Sequence, residues 1–388
     1  MLQKIKHTIK FIINYAICSF IVPSKKISPN SILLIRLDAI GDYVLFRNFI
    51  KILKESPKYK NYEFTLLGNP AWKSLVNEFD KIYIDNFIWL DRNLFITDYK
   101  YRYKQLKMIT SKGYKVVLSP VYSRNFLVED LIVKSIYAQQ KIGYDCDLRN
   151  MKIWQKKISD KYYTRLIEGS DDILFEFDRN KEFFQKLLDD DIKIEKPSFQ
   201  LTSKKNNFNL AKKYAILFIG ANEKFRQWDI ENFVQIGSFL KSYYHYEIVL
   251  CGGPTDEILA QKFKKYSDYD YTNLVGKTSL IELLYIIKKA KLMVSNETSA
   301  PHFAVALNTP YIFVISNGNN FGRFSPYPKK IYKTYFTIFP QIIEEHLHNL
   351  DKMKKIYGGG SNLSISQIPT STVIKTIKKA LGTVENEL

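Results

Sequence analysis

Short apolar runs alternate with stretches of helical period along most of the chain. Residues 32–35, Ile-Leu-Leu-Ile, form one such run, and Val44, Leu45, Phe49, Ile52 and Leu53 then recur at helical spacing over 43–54. The runs YEFTLLG, KIYID and YKVVLSP continue the alternation. A run apolar at successive positions suits a strand covered on both faces, so the pattern predicts a largely parallel sheet wrapped by helices. The same grammar restarts near residue 210. YAILFIGA, a helix over 230–243, YEIVLCGGP, a helix at 257–266, TNLVG, a helix over 280–289, KLMVSN and TPYIFVIS follow in turn. A last helix is expected over 370–381. Between the two series, TSKKNNFN at 202–209 is polar and aperiodic and reads as a linker. Two successive α/β domains, 31–201 and 210–388, are therefore expected, with a ligand site in the cleft between them.

The first strand ends in RLDAIGD, a charged turn wedged between strand and helix. In an open parallel sheet the carboxyl ends of the strands are where loops and helix amino termini converge on ligands. Residues 1–30 precede this unit and carry an apolar stretch from 11 to 22 between lysines. The stretch is shorter than the roughly 20 residues that span a bilayer, and no small-residue cleavage site follows it. Two readings stand: an amphipathic helix lying on an anionic membrane surface, or a helix packed on the protein itself.

Composition narrows the partners. The chain has 388 residues, 46% hydrophobic and 15% aromatic, ample for two cores, and 58 basic against 39 acidic side chains give a formal charge of +19. That excess favours an anionic partner: a phosphate-bearing substrate, a membrane surface or nucleic acid. No recognised nucleic-acid-binding motif accompanies it, so no nucleic-acid partner is expected. Cys18, Cys146 and Cys251 are far apart and suggest neither a disulfide framework nor a zinc site, which fits a reducing compartment.

The chain lacks both GxGxxG after the first strand and a GxxxxGK[ST] loop, which argues against NAD binding and against a P-loop ATPase. The carboxylate spacings DCD at 145–147 and DDD at 189–191 could ligate a divalent ion, but a solvated loop or helix end explains them more simply. The second half is richer. In VSNETSAPHFAVAL a strand gives way to Glu297, Thr298 and Ser299, then Pro301 and His302 at a helix start whose amides suit a diphosphate. Read as structure alone, the same residues form a helix cap with a buried histidine. Arg226, in a loop before a helix that Asp229 is placed to cap, can fork onto phosphate oxygens, whereas Trp228 reads as packing. In CGGPTDE, Gly252 and Gly253 allow close backbone approach and Glu257 can accept sugar or ribose hydroxyls.

Taken together, ILLIRLDAIGDYVL, GANEKFRQWDIENF, CGGPTDE, LVGKTSLIELLYIIKKAKLMVSNETSAPHFAVALNTP and FSPYP resemble glycosyltransferase family 9, the lipopolysaccharide heptosyltransferase family. The pieces cover most of residues 31–330 in family order. The resemblance implies a GT-B fold, two Rossmann-like domains facing a cleft. It also implies metal-independent, inverting transfer of heptose or a related sugar from a nucleotide sugar such as ADP-heptose to a lipid-linked saccharide. No cofactor and no metal are implied. In family terms Asp42 acts on the acceptor hydroxyl, Arg226 handles donor phosphates in place of the commoner lysine, and Glu257 is the acid after the glycine loop. Glu297, Thr298 and Ser299 correspond to an aspartate-threonine-glycine donor motif, with His302 as its histidine. Glu297 for aspartate and Ser299 for glycine are departures; they loosen the link to ADP-heptose and leave a noncatalytic, nucleotide-sugar-binding homologue as the alternative. The expected location is cytoplasmic, peripheral on the inner face of the inner membrane.

Overall fold

The computed structural model describes residues 2–202 and 208–382, so most of the expected linker at 202–209 lies outside the described residues. The chain divides into two compact units, residues 1–171 with 178–193, and residues 172–177 with 194–388.

The first unit is built on six strands: β1 (Ile27–Arg36), β2 (Glu63–Gly68), β3 (Asn86–Trp89), β4 (Gly113–Ser119), β5 (Ala138–Tyr144) and β6 (Arg165–Ile167). They pair in the order β3-β2-β1-β4-β5-β6, every pair parallel. Ile32 lies opposite both Phe64 and Val116, and the run from Ile32 to Ile35 is wholly buried, as a strand covered on both faces requires. Leu33, Ile35, Leu67 and Val117 form the sheet side of one core, met by Leu106, Phe126 and Leu131 from the helical layer.

The helix Leu2–Ser19 docks on this unit. Its Phe11 and Tyr15 rings lie 5.6 and 6.2 Å from Phe126, Lys134 sits 3.8 Å over the Tyr15 ring, and Cys18 is buried. Ile9, Ile12, Phe20 and Val22 stay exposed. One face of the helix thus packs on the protein itself while apolar side chains elsewhere in the stretch 1–30 stay exposed, and the last four residues of that stretch already belong to β1. Among the described residues no helix is long and apolar enough to cross a membrane.

The second unit repeats the plan with β7 (Tyr214–Phe218), β8 (Glu247–Cys251), β9 (Thr272–Asn273), β10 (Leu292–Asn296), β11 (Tyr311–Ile315) and β12 (Tyr335–Ile338). The order is β12-β11-β10-β7-β8-β9, again all parallel. Leu217, Leu250, Val294 and Phe313 pack beneath Phe233, Leu240, Phe263 and Val373. The helices Glu257–Tyr266, Leu280–Lys289 and Thr370–Leu381 stand where the periodicity puts them. The expected helix over 43–54 is two, Ile40–Phe46 and Asn48–Glu55. In both sheets the first strand of the series lies between strands whose connections leave in opposite directions: β1 beside β4, and β7 beside β10. A crevice opens at such a reversal, outside the carboxyl ends of the strands.

Candidate active site

In the first unit the reversal falls at RLDAIGD. β1 ends at Arg36, Ala39 takes the N-cap position, and Asp42 lies in the first turn of the helix Ile40–Phe46, where a carboxylate is favoured by the helix dipole. The turn is pinned from outside. Asn69 Nδ2 donates to the carbonyls of Leu37 and Asp38 at 3.1 and 3.3 Å, and Trp72 Nε1 donates to the Asp38 carbonyl at 3.0 Å. The Trp72 ring stacks on Tyr43 at 4.4 Å. Below it, Tyr43 donates to Asp80, which Arg47 also engages at 2.7 Å. Asp42 therefore stands half-buried on a rigid support.

Its charged surroundings come from its own turn and from two other places in the sequence. Asp38 pairs with Arg36 Nε at 2.9 Å, and Arg92 approaches Asp38 at 3.9 Å and Glu129 at 3.7 Å. Glu129 is fully buried in the π turn Phe126–Asp130 and accepts the Asn125 amide at 2.9 Å. Glu129 holds the Arg92 guanidinium above its ordinary range, with Asp38 and then Asp42 adding to the effect against the cost of burial. Burial pushes the Glu129 carboxyl up, and Arg92 opposes that. Asp38 is thus committed to the turn's own ion pairs. Arg36, Arg92 and Glu129 were not singled out by the sequence pattern. Arg92, three residues beyond β3, lies at the same sheet edge as Asp42 and was accessible to the strand-end rule; Glu129 depends on a local π turn that periodicity does not report.

In the second unit the reversal joins the ends of β7 and β10 through one amide. Asn296 Nδ2 donates to the Ile219 carbonyl at 2.7 Å while its Oδ1 accepts the Trp228 backbone amide at 3.0 Å. Trp228 is buried, and its Nε1 donates to the Ile368 carbonyl at 2.9 Å, so it packs as expected. This tie fixes the short turn Lys224–Arg226 between the two strand ends. Arg226 Nε and Glu297 Oε1 are both buried without a hydrogen-bond partner among the described residues. Glu297's other oxygen accepts from Ser316 Oγ. Burial pushes the Glu297 carboxyl up, and the Arg226 charge and the Ser316 bond oppose it. Leaving buried polar atoms unpaired costs about 1–3 kcal/mol each. Thr298 is the N-cap of the helix Ser299–Ala306, and its side chain makes no capping bond. The helix's first amides are therefore not closed off by that hydroxyl.

His302 is buried on that helix and shares a 2.7 Å hydrogen bond, through Nδ1, with the Tyr327 hydroxyl of FSPYP. Burial pushes its imidazole down to about 4, so it is neutral near pH 7. At the glycine loop the inward acid is Asp256: its carboxylate accepts the Gly253 amide at 2.7 Å, and a Cβ on Gly220 would meet it at 1.9 Å. Glu257, one residue on, is exposed in the first turn of its helix. Asp229 occupies its expected N-cap position but makes no side-chain capping bond. In the DCD stretch, Asp145 pairs with Lys156 and Asp147 with Arg149.

The model of the family described as glycosyltransferase family 9 (heptosyltransferase) matches residues 103–352. The lipopolysaccharide core heptosyltransferase OpsX of Haemophilus influenzae is 20% identical over 312 residues, covering 77% of this chain and 82% of that protein. Among solved structures, the glycosyl transferase family 9 protein of Veillonella parvula superposes with a TM-score of 0.66 at 16% identity, covering 90% of this chain and 97% of the other. Escherichia coli heptosyltransferase WaaC with ADP-2-deoxy-2-fluoro heptose gives 0.64 at 16% identity, covering 90% and 99%. The two parallel six-stranded sheets with their helices are the GT-B fold.

The buried histidine carries a pH signature. Its folded pKa of about 4 lies below the unfolded value near 6.5, so the unfolded chain takes up the proton first. The native state keeps its full advantage above pH 6.5 and loses up to about 3 kcal/mol of it as pH falls to about 4. His302→Gln should flatten that part of the curve, as measured by urea unfolding at stepped pH.

Proposed function

The chain belongs to glycosyltransferase family 9, and on that footing we propose that it is an inverting, metal-independent transferase. In this reading it moves heptose or a related sugar from a nucleotide sugar such as ADP-heptose to a lipopolysaccharide or other surface-glycan acceptor. The observation that carries the donor half is the unpartnered Arg226 Nε beside the buried Glu297 oxygen, at a helix start on a topological reversal. A diphosphate would give Arg226 the anion its fork is shaped for, and the amides after Thr298 would share the charge. Ser299, Glu257 and His302 complete the proposed donor side, His302 as a neutral support and Glu257 as an acceptor for hydroxyls. The matched family segment contains all of these residues. Asp42 precedes that segment, and its assignment rests on the turn.

In the proposed step the acceptor hydroxyl oxygen attacks the anomeric carbon and gives its proton to Asp42. The bond to the diphosphate breaks on the opposite face, and the nucleoside diphosphate leaves with the electron pair. No cofactor is called for. Location at the cytoplasmic face of the inner membrane is also proposed. Its support is the exposed apolar side of the first helix, the nearby Lys25 and Lys26, and three free, buried thiols.

Three measurements test this reading. Asp42→Asn keeps the shape of the side chain and removes the base, so turnover should fall about 10²–10⁴-fold while nucleotide-sugar binding persists; parental turnover would withdraw Asp42 as base. Arg226→Ala should weaken nucleoside diphosphate binding by about 1.5–3 kcal/mol in a calorimetric titration. Replacing Ile12 and Phe20 together by glutamate should cut sedimentation with phosphatidylglycerol vesicles by about tenfold or more, given about 1.5–3 kcal/mol for each fully inserted apolar side chain. Unchanged sedimentation would remove the membrane assignment.

A further inference from the structure

Beyond Glu297, along the carboxyl edge of the second sheet, lies a groove that no assignment above uses. Its floor is Asn317 at the end of β11, and its walls are Phe225, Asn319 and the loop carrying Gly360, Ser361 and Asn362. The loop is stitched to the strand end. Asn317 Nδ2 donates to the Leu363 carbonyl at 3.0 Å, Ser361 Oγ donates to the Asn317 carbonyl at 2.6 Å, and Asn317 Oδ1 accepts the Asn319 amide at 3.1 Å. The groove is therefore preformed. Phe225 is 47% exposed on one side of it. The Asn319 and Asn362 side chains have no hydrogen-bond partner within the protein among the described residues. In a chain with a net charge of +19, no lysine, arginine, aspartate or glutamate lines this groove.

Strand order says which part of a linear ligand reaches it. Neighbours along the edge run β11, β10, β7, β8. Arg226 follows β7 and the Thr298 helix start follows β10, so a diphosphate held there has one end over β8 and the other over β11. The β8 end offers Gly252 and Gly253 and a backbone turn. The β11 end offers neutral amides and a hydroxyl-stitched loop, and the exposed Phe225 ring reaches the groove from the turn after β7. Amides donate and accept, as sugar hydroxyls do, and a ring face covers the apolar C–H side of a pyranose. A phosphate would find no cation in the groove.

We propose that this groove, Asn317, Asn319, Ser361 and Asn362 with Phe225, is the subsite for the sugar ring of the nucleotide-sugar donor. The inference rests on the donor-binding reading of Arg226 and Thr298 and adds to it the residues that select the sugar. Because Ser316 bonds Glu297 and is followed directly by Asn317, the subsite is continuous with the diphosphate position.

The test is calorimetry without any acceptor, using ADP against ADP-heptose and UDP against UDP-glucose, on the parent, Asn319→Ala and Phe225→Ala. The pair in which the sugar form binds the parent should lose about threefold to thirtyfold affinity in Asn319→Ala, the range of one or two neutral hydrogen bonds. The free nucleoside diphosphate should change less than about twofold. Phe225→Ala, whose ring also lies 5.5 Å from the Arg226 guanidinium, should weaken both forms, the sugar form by the larger factor. Equal loss for the diphosphate and its sugar form would put the nucleoside in the groove and overturn the proposal, as would no loss for either. A defect appearing only in acceptor KM during turnover would overturn it too. If no diphosphate or sugar form binds the parent, the donor reading falls with it. If a diphosphate binds but its sugar form is indifferent to Asn319, the subsite falls alone.

Discussion

Between parallel strands the chain must run back along a face of the sheet to the opposite edge, so every connection leaves from the same edge. The twelve strands among the described residues are all paired in parallel, and that one constraint gathers the loops following the strands at the carboxyl edge of each sheet. The reversal of winding beside β1 and beside β7 then leaves a place where neighbouring loops part. Asp42 and Arg226 both occupy such places. Neither position depends on its own local sequence alone; each is delivered by the winding of a whole sheet.

Holding the delivered groups still is a separate task, and each unit does it with a few polar contacts. In the first, Asn69 and Trp72 seize the carbonyls of the turn before Asp42, while Arg47 and Tyr43 anchor the helix to buried Asp80. In the second, the single amide of Asn296 spans two strand ends. Burying such amides and ions is favourable only when each atom finds its partner. Some buried atoms lack a hydrogen-bond partner among the described residues, Arg226 Nε and Glu297 Oε1 at this strand edge and Glu129 Oε1 in the first unit among them.

Much of the fold was legible because buried parallel strands advertise themselves as unbroken apolar runs. Ile32 to Ile35, the strand at Leu292, and the helices at 257–266, 280–289 and 370–381 all follow from period and length. Within the candidate site the strand-end rule reaches Thr298, two residues beyond β10, and Arg226, in the turn that follows β7. The site was not legible where partners come from afar. Glu129 reaches Arg92 from a π turn, Ser316 reaches Glu297 from the next strand, and Tyr327 meets His302 from a loop 25 positions on. The one-residue difference between Asp256 and Glu257 has the same origin. Both acids sit at a helix start, and the geometry of Gly220 and Gly253 makes Asp256 the inward one.

The first helix bears on how the chain can be cut. Its inward rings cover Phe126, and Phe11 also meets Trp154 edge-on at 5.5 Å. The strand that follows begins at Ile27, inside the segment that a sequence-based trimming would discard. A version starting at residue 31 would lack four residues of the central strand and would bare an aromatic patch normally roofed by the helix. Its poor solubility would then reflect an opened core. The leading helix is accordingly a structural wall of the first unit, and changes made to its outer side are the ones that leave that wall standing.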